Sequence, residues 1–270
     1  MFKQELIKAI YNLRMLFVIL ISLVLLFLSA YTQLLSSHLF IDKTAEDLTA
    51  EGLRYILETG SNKYHIWVES FSYMQVIFVF AIVLPYTASY VTEKNGGYHY
   101  LAIVRGGLNR YYRCKMYVSC ISGGLSLFVP ELLYYIGVSS LAQNTILESF
   151  TFYPVGLFSS LFFTNPDIYI LLQMTLHFVL GASFGLFAMG LSMFFNKKIL
   201  AYTVPFFVYL TYDLVISGME NIRRFAITNM YNFMSSTTYT IVDFILLNLS
   251  LVAVGILLVQ YNKHRMITSG

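Results

Sequence analysis

The chain has 270 residues, of which 57% are hydrophobic and 11% are charged, and its formal net charge is +3. Soluble domains carry about 25% charged residues, so this composition argues against a water-soluble fold and indicates an integral membrane protein. No basic face belongs to a soluble domain, and nucleic acid is therefore not an expected partner.

The N-terminal arm, residues 1–14, places Phe2, Leu6, Ala9, Ile10 and Leu13 on one helical stripe. This pattern predicts an interfacial helix on the cytoplasmic leaflet, although a helical extension of the first span fits it equally well. The apolar run that follows is longer than the core of a signal peptide and has a poor cleavage site, so we expect it to be retained as a span.

Six segments are apolar and long enough to cross a bilayer, which takes about 20 residues of helix. They are approximately 15–35, 68–91, 116–138, 168–195, 199–217 and 239–261. The sequence therefore predicts an all-α integral membrane fold, with one six-helix domain over residues 15–265.

Three connectors are predicted on the outer side, at 36–67, 139–167 and 218–238. A capping box, Thr44-Ala45-Glu46-Asp47, predicts a short helix in the first of them. The second is rich in Phe and Tyr, which favours an interfacial or re-entrant segment.

The basic residues are distributed unequally between the two sides of the predicted membrane. Twelve of the 17 Lys and Arg residues fall in the N-terminal arm, the 92–115 connector, the 196–198 turn and the C-terminal tail. Basic loops face the cytoplasm, so both termini are predicted to be cytoplasmic.

The sequence 181–185 matches the G-x-S-x-G pattern of hydrolases, but it lies inside a predicted span rather than at a strand-to-helix turn. An intramembrane serine protease would need a histidine on a later span, and only the tail residue His264 follows Ser183. Small residues that allow close helix packing are the simpler interpretation. Cys114 and Cys120 are read as free thiols, because their predicted side is reducing.

Glu131, Asp213 and Asp243 fall within or at the ends of predicted spans. Ionisable groups in a membrane are costly and often functional, so these three are candidates for a substrate or ion path. The five histidines are scattered, and no metal site is predicted.

The connector 92–115 has the sequence TEKNGGYHYLAIVRGGLNRYYRCK, which contains more recognisable sequence features than a simple linker requires. An acid-base pair, a Gly-Gly turn and an aromatic-aliphatic run suggest a docking surface for a soluble partner. The chain has no G-x-x-x-x-G-K-[ST] motif, so a nucleotide that drives it must be bound by a separate subunit.

This arrangement resembles the permease subunit of ABC-2-type exporters. The resemblance rests on the basic N-terminal helix, the six spans, the short basic turn before the fifth span and the mid-helix Pro205. In the second-to-third loop it is carried by Glu93-Lys94-Asn95-Gly96-Gly97-Tyr98, then Leu101-Ala102-Ile103, then Arg110, Arg113 and Lys115. Gly181, Gly185 and Gly190 match the Gly-rich fourth span. The long 139–167 segment and the modest first outer loop depart from the usual pattern.

The resemblance implies a half-transporter in a bacterial cytoplasmic membrane. Two permease chains, identical or related, would pair among membrane lipids, and each would seat a cytoplasmic ABC ATPase that binds ATP and Mg. This chain would hold no cofactor and would not itself be an enzyme. The cargo would be amphipathic or lipophilic, such as a peptide, toxin or drug. The implied docking residues are Glu93, Gly96, Gly97, Tyr98, Leu101, Ile103 and Arg105.

Two other functions fit the same sequence. A non-transporting sensor, assembly scaffold or immunity protein could use the same loop to dock a partner. A secondary transporter would normally show inverted repeats and broken helices with polar midplane sites, and these signals are weak in the sequence.

Overall fold

The computed structural model describes residues 1–43, 45, 48–144, 154–232 and 238–268. Within these ranges the secondary structure is helical, with no strand and one isolated bridge between Asn62 and Gln143. The all-α prediction is confirmed.

Five helices are long and apolar enough to cross a membrane. They are α2 (Leu13–Ala30), α9 (Leu108–Leu141), α11 (Pro166–Ser192), α12 (Lys198–Ser217) and α14 (Ile241–Thr268). The first continues through a π-helical turn, Tyr31–Leu35, into α3 (Ser36–Leu39), so its helical length is 27 residues. These helices correspond to five of the six predicted spans.

The remaining helices are short. They are α1 (Phe2–Ile10), α4 (Ala50–Ser61), α5 (Lys63–Val68), α6 (Met74–Val83), α7 (Ser89–Asn95), α8 (Tyr98–Gly106), α10 (Leu161–Thr164) and α13 (Ile227–Tyr231).

The predicted second span, 68–91, is bent and interrupted rather than one straight helix, and its crossing of the membrane stays a prediction. The helical stretches Lys63–Phe71 and Met74–Val83 meet at an angle of 73° and would count as a sixth span only if taken together. At the bend, Ser70 Oγ donates to the Trp67 carbonyl oxygen at 2.6 Å, a side-chain bond of the kind that bends helices. Helix α6 then ends before Pro85, which cannot donate a backbone hydrogen bond.

Helix α1 is separate from α2, so the alternative of one continuous helix is wrong. Asn12 between them is extended, with φ −138° and ψ 155°, and its side chain caps α2 by accepting from the Met15 amide at 2.8 Å. That α1 lies on a membrane surface stays a prediction.

Helix α11 is central and packs mainly against α9 and α14. A Cβ on Gly181 would lie 2.5 Å from the Gly123 carbonyl oxygen, so the backbones of α11 and α9 touch there. Ser119 adds a hydrogen bond from its Oγ to the Gly185 carbonyl oxygen at 2.7 Å. Ser183 Oγ faces α14 and donates to Asn248 Oδ1 at 2.5 Å. The small-residue interpretation of the 181–185 motif is confirmed.

The predicted outer connectors hold α4, α10, α13 and nearly all of α5. Thr49 caps α4, whereas most of the predicted capping box (Thr44, Glu46 and Asp47) lies outside the described residues. Residues 145–153 of the aromatic segment and 233–237 of the third connector lie outside them as well. In the described part of the third connector, α13 turns back into the bundle and buries Tyr231 completely.

Both described ends of the chain lie at one end of the bundle, called here the basic end: α1, α7, α8, the start of α9, the 193–198 turn and the end of α14. Lys115 contacts Glu5 of α1, and Tyr90 of α7 contacts Asn262 of α14. The side of the membrane that the basic end faces stays a prediction.

Candidate functional site

A carboxylate and an imidazole face each other in the interior of the bundle. Glu131 of α9 is 1% exposed, and His177 of α11 is fully buried. His177 Nδ1 lies 2.9 Å from each oxygen of the Glu131 carboxylate. Tyr231 of α13 donates to Glu131 Oε1 at 3.4 Å. An isolated carboxylate is costly in a membrane, and this pairing explains how Glu131 is accommodated.

Aromatic rings surround this pair. The Tyr231 ring lies 4.6 Å from the His177 ring, and Phe71 lies 5.5 Å from it on another side. Phe78 of α6 stacks on Tyr231 at 4.5 Å. Because Phe71 stands at the bend between α5 and α6, that bend shapes the wall around the buried acid.

Asp213 and Asp243, the other two candidates for a substrate or ion path, stabilise local structure at helix ends. Asp213 accepts from the Thr228 amide at 3.0 Å and also bonds the Thr228 hydroxyl, which fixes the start of α13. Asp243 accepts from the Thr240 amide at 2.9 Å and lies 3.4 Å from Arg224 Nε. Of the three predicted acids, Glu131 is the one buried in the bundle against a titratable partner.

A second set of buried charges lies at the basic end. The Lys115 side chain has no exposed surface, and its Nζ donates to Glu5 Oε2 at 2.5 Å and to Glu93 Oε1 at 2.7 Å. Tyr86 donates to the same Glu5 oxygen at 2.6 Å, and Tyr111 donates to Glu93 Oε2 at 2.7 Å. This charge cluster joins α1, α7 and α9. Lys115 lies between its two carboxylates, and the more exposed Lys8 also contacts both, at 2.7 Å from Glu5 and 3.8 Å from Glu93.

The charge cluster changes the pKa of the Glu5 carboxyl. Glu5 lies outside the long apolar helices. Burial acts to raise the pKa of this carboxyl. The charge of Lys115 and hydrogen bonds from Lys115, Lys8 and Tyr86 outweigh burial and lower the pKa to about 2. Glu5 therefore stays ionised although it is buried.

The predicted docking residues divide between inward and outward positions. Glu93 was expected to pair with a partner, but its carboxylate is engaged by Lys115 and Tyr111 inside the chain. Ile103 is half-buried and packs against the cluster around Tyr90.

Helix α8 carries the outward residues. Tyr98 is 66% exposed, Leu101 55% and Val104 85%, at a spacing of three that puts them on one face of the helix. Arg105 follows on the surface. Gly97 and Gly107 flank α8 with φ of 72° and 78°, values that favour glycine. Gly96 ends α7 against the Tyr98 ring. The result is an exposed, partly apolar helix between two glycine turns.

A groove of about 850 Å³ runs between α8 and α1. It is lined by the apolar side chains of Met1, Tyr98 and Leu101 and by the basic side chains of Arg105 and Arg110. The groove sits directly over the charge cluster, because Glu5 and Glu93 also line it.

Sequence reasoning missed Glu5, His177, Tyr231, Val104 and the burial of Lys115. Lys115 ends a basic run, a position that is typical of a membrane-surface anchor. One signal for His177 was available: a buried acid in a span needs a partner, and His177 is the only histidine within the six spans predicted from the sequence.

The described residues contain no group of three or more His, Cys, Asp or Glu side chains that could hold a metal ion. Comparison of the chain with family models, with curated proteins and with solved structures finds no match. The functional argument therefore rests on the residues themselves.

Proposed function

We propose that this chain is the membrane subunit of an ATP-driven exporter in a bacterial cytoplasmic membrane. It would work as a pair of permease chains with separate cytoplasmic ATP-hydrolysing subunits. The observation that carries the proposal is α8, an exposed apolar helix held between two glycine turns and joined to the spans at both ends. The chain has no P-loop of its own, which supports a separate source of ATP hydrolysis.

The charge cluster gives this proposal a mechanical route. A force on α8 passes through Gly97 to α7 and through Gly107 to α9. Lys115 binds α7 to α9 and both to α1, so the three helices would move as one body. A partner that changes shape on ATP binding would shift that body and favour one arrangement of the spans over another.

The cargo proposed is amphipathic or lipophilic. The long helices expose apolar and aromatic side chains and bury few charged groups. Such surfaces suit a peptide, toxin or drug with a large apolar part.

The test compares the unmodified chain with a docking variant, each purified in mild detergent from the cells that make the protein. We expect unmodified protein to carry an ATP-hydrolysing subunit, visible by mass spectrometry. Tyr98→Glu/Leu101→Glu should lower its retention and the associated ATP hydrolysis at least tenfold, because charges replace apolar contacts. Leu141→Glu is the matched control, since Leu141 is 91% exposed at the end of α9 far from α8. Unmodified protein that carries no ATP-hydrolysing subunit would refute the proposal.

The Glu131–His177 pair favours a second candidate, a proton-linked transporter, because intramembrane acid-histidine pairs occur in proton relays. Inside-out vesicles separate the two functions. The exporter should accumulate cargo with ATP in the presence of a protonophore. A proton-linked transporter should stop under those conditions, and Glu131→Gln should abolish its gradient-driven transport because the amide cannot carry a proton. The control is Glu58→Gln on the exposed helix α4.

A further inference from the structure

A small polar pocket lies beside α7 at the basic end. It has a volume of about 240 Å³ and is formed where α7, α8, the turn after α11 and the last turns of α14 meet. Its polar lining comes from Lys94, His99, Asn196, Asn262 and Arg265.

Four hydrogen bonds hold the walls of this pocket. Lys94 Nζ donates to Asn196 Oδ1 at 2.9 Å, and Asn95 Nδ2 donates to the Asn196 carbonyl oxygen at 2.8 Å. Tyr90 donates to Asn262 Oδ1 at 3.2 Å, and Asn262 Nδ2 donates to the Met193 carbonyl oxygen at 3.2 Å. The pocket is therefore a built feature joining three separate parts of the chain.

The charged side chains that line this pocket are all positive. Lys94 and Arg265 line it, no carboxylate does, and none within the described ranges forms an ion pair with Arg265. The carboxylate of Glu93, the nearest acid in sequence, does not line the pocket and is engaged by Lys115 and Tyr111. Two cations without a facing acid form a site that an anion would stabilise.

A buried polar group adds an independent observation. His99 is 4% exposed and lines the pocket. Its ring interacts with the Glu93 backbone carbonyl, and its buried Nδ1 makes no hydrogen bond of ordinary geometry among the residues described. Buried polar atoms are normally hydrogen-bonded, so one without such a bond beside a pocket points to a ligand that the site takes.

We propose that this pocket binds a phosphate group. Guanidinium and ammonium groups bind phosphate oxygens through charge-assisted hydrogen bonds, and Arg265 and Lys94 supply these groups. The His99 imidazole adds a neutral N–H donor. Basic pockets between membrane helices near one bilayer face take phosphate headgroups. The phosphate can come from an anionic lipid or from a soluble phosphate compound. The site is independent of ATP-driven export and would remain if that function were disproved.

The experiment measures both sources on the full-length chain. In the lipid arm, protein is reconstituted in nanodiscs of phosphatidylcholine with one-fifth phosphatidylglycerol, extracted in mild detergent, and its retained lipids are counted by native mass spectrometry. In the soluble arm, thermal stability is measured with increasing inorganic phosphate, against chloride at equal ionic strength. The variant is Lys94→Gln/Arg265→Gln. The control, Lys198→Gln/Lys263→Gln, removes the same charge at the same end without touching the pocket.

We expect unmodified and control protein to retain at least five times more phosphatidylglycerol per chain than the pocket variant, or to show at least a fivefold larger rise in melting temperature with inorganic phosphate. Retention in the lipid arm alone assigns the site to a lipid headgroup, and stabilisation by inorganic phosphate assigns it to soluble phosphates. Binding in neither arm overturns the proposal. An equal loss in the control variant also overturns it, because the effect would then be one of overall charge.

Discussion

Lys115 shows how a single buried charge can organise several helices. It has no exposed surface and stands between the carboxylates of Glu5 and Glu93. Breaking a buried pair by removing one partner costs about 3–5 kcal/mol, because the other charge is left uncompensated. The residue that appeared to be a surface anchor is therefore the centre of the basic end.

The lowered pKa of Glu5 predicts how α1 responds to acid. A carboxyl whose pKa is lower when folded stabilises the fold fully above its ordinary pKa of 4.5, and this contribution is lost as the pH falls toward about 2. The shift corresponds to about 3 kcal/mol at ~1.4 kcal/mol per pKa unit, so α1 should be held roughly a hundredfold more firmly at pH 5 than at pH 2.

Cys114 reports this change, because it is buried in a cluster with Ala9 of α1. In a Cys120→Ser background, labelling by 4,4′-dithiodipyridine, a reagent active in acid, should be slow at pH 5 and accelerate toward pH 2. Glu5→Gln should label quickly already at pH 5 and change less with pH. If Cys114 is equally protected in both proteins at pH 5, Glu5 does not hold α1.

At the scale of elements, some helices follow from the apolarity of their own sequence, whereas the position of others depends on contacts with neighbouring helices. Helix α9 is 34 residues long and spans the bundle from Lys115 to the opposite end. There Tyr135 of α9 and Lys63 of the bent segment both bond Asp167 at the start of α11. The first half of the bent segment, α5, is thus tied through Asp167 to the end of the bundle where α9 meets α11, and the bend at Phe71 follows α5 in the chain.

The close contact of α9 and α11 gives a prediction about packing. Gly181→Ala would place a Cβ 2.5 Å from the Gly123 carbonyl oxygen, and backbone on the two helices would have to move apart. We expect a loss of several degrees in thermal stability, equivalent to about 1–3 kcal/mol. Gly137→Ala on α9 is the matched control, because nothing lies within 4 Å of its Cβ and alanine favours the helix. A thermal denaturation in detergent that finds the two variants equal would contradict this packing.

At the scale of the whole molecule, polar groups are gathered at three levels along α9. Lys115 lies at the basic end, Glu131 about 24 Å further along the helix axis at 1.5 Å per residue, and Tyr135 one turn beyond. Each level bonds residues from other helices, and the Ser119–Gly185 hydrogen bond and the glycine contacts with α11 lie between the first two. Because the bonds at each level hold several helices together, the helices could tilt about these three levels.

The features that could be predicted from the sequence are those that depend on composition and on the spacing of apolar residues. Apolarity over about 20 residues found five long helices, and the Gly-Gly pair predicted the turn before α8. The sequence could not predict the bend near Ser70, because a hydroxyl bonded to its own backbone leaves no trace in hydropathy. The Glu131–His177 pair is separated by 46 residues and depends on the register of α9 against α11, which is set by the Gly123–Gly181 contact. Glu93 seemed free for a partner because its two internal partners became visible only in three dimensions.

The Glu5–Lys115 contact also has a consequence for the order of events during synthesis. The two residues are 110 positions apart, so the ribosome completes Glu5 long before Lys115 exists. At 5–20 residues per second the interval is roughly 5 to 20 seconds. Throughout it, Glu5 has only Lys8 of its own helix as a basic partner, and the N-terminal arm must rest elsewhere, with a membrane surface available to its apolar stripe. Docking of α1 is therefore a late step, which can begin only when the start of the third long apolar segment has been made.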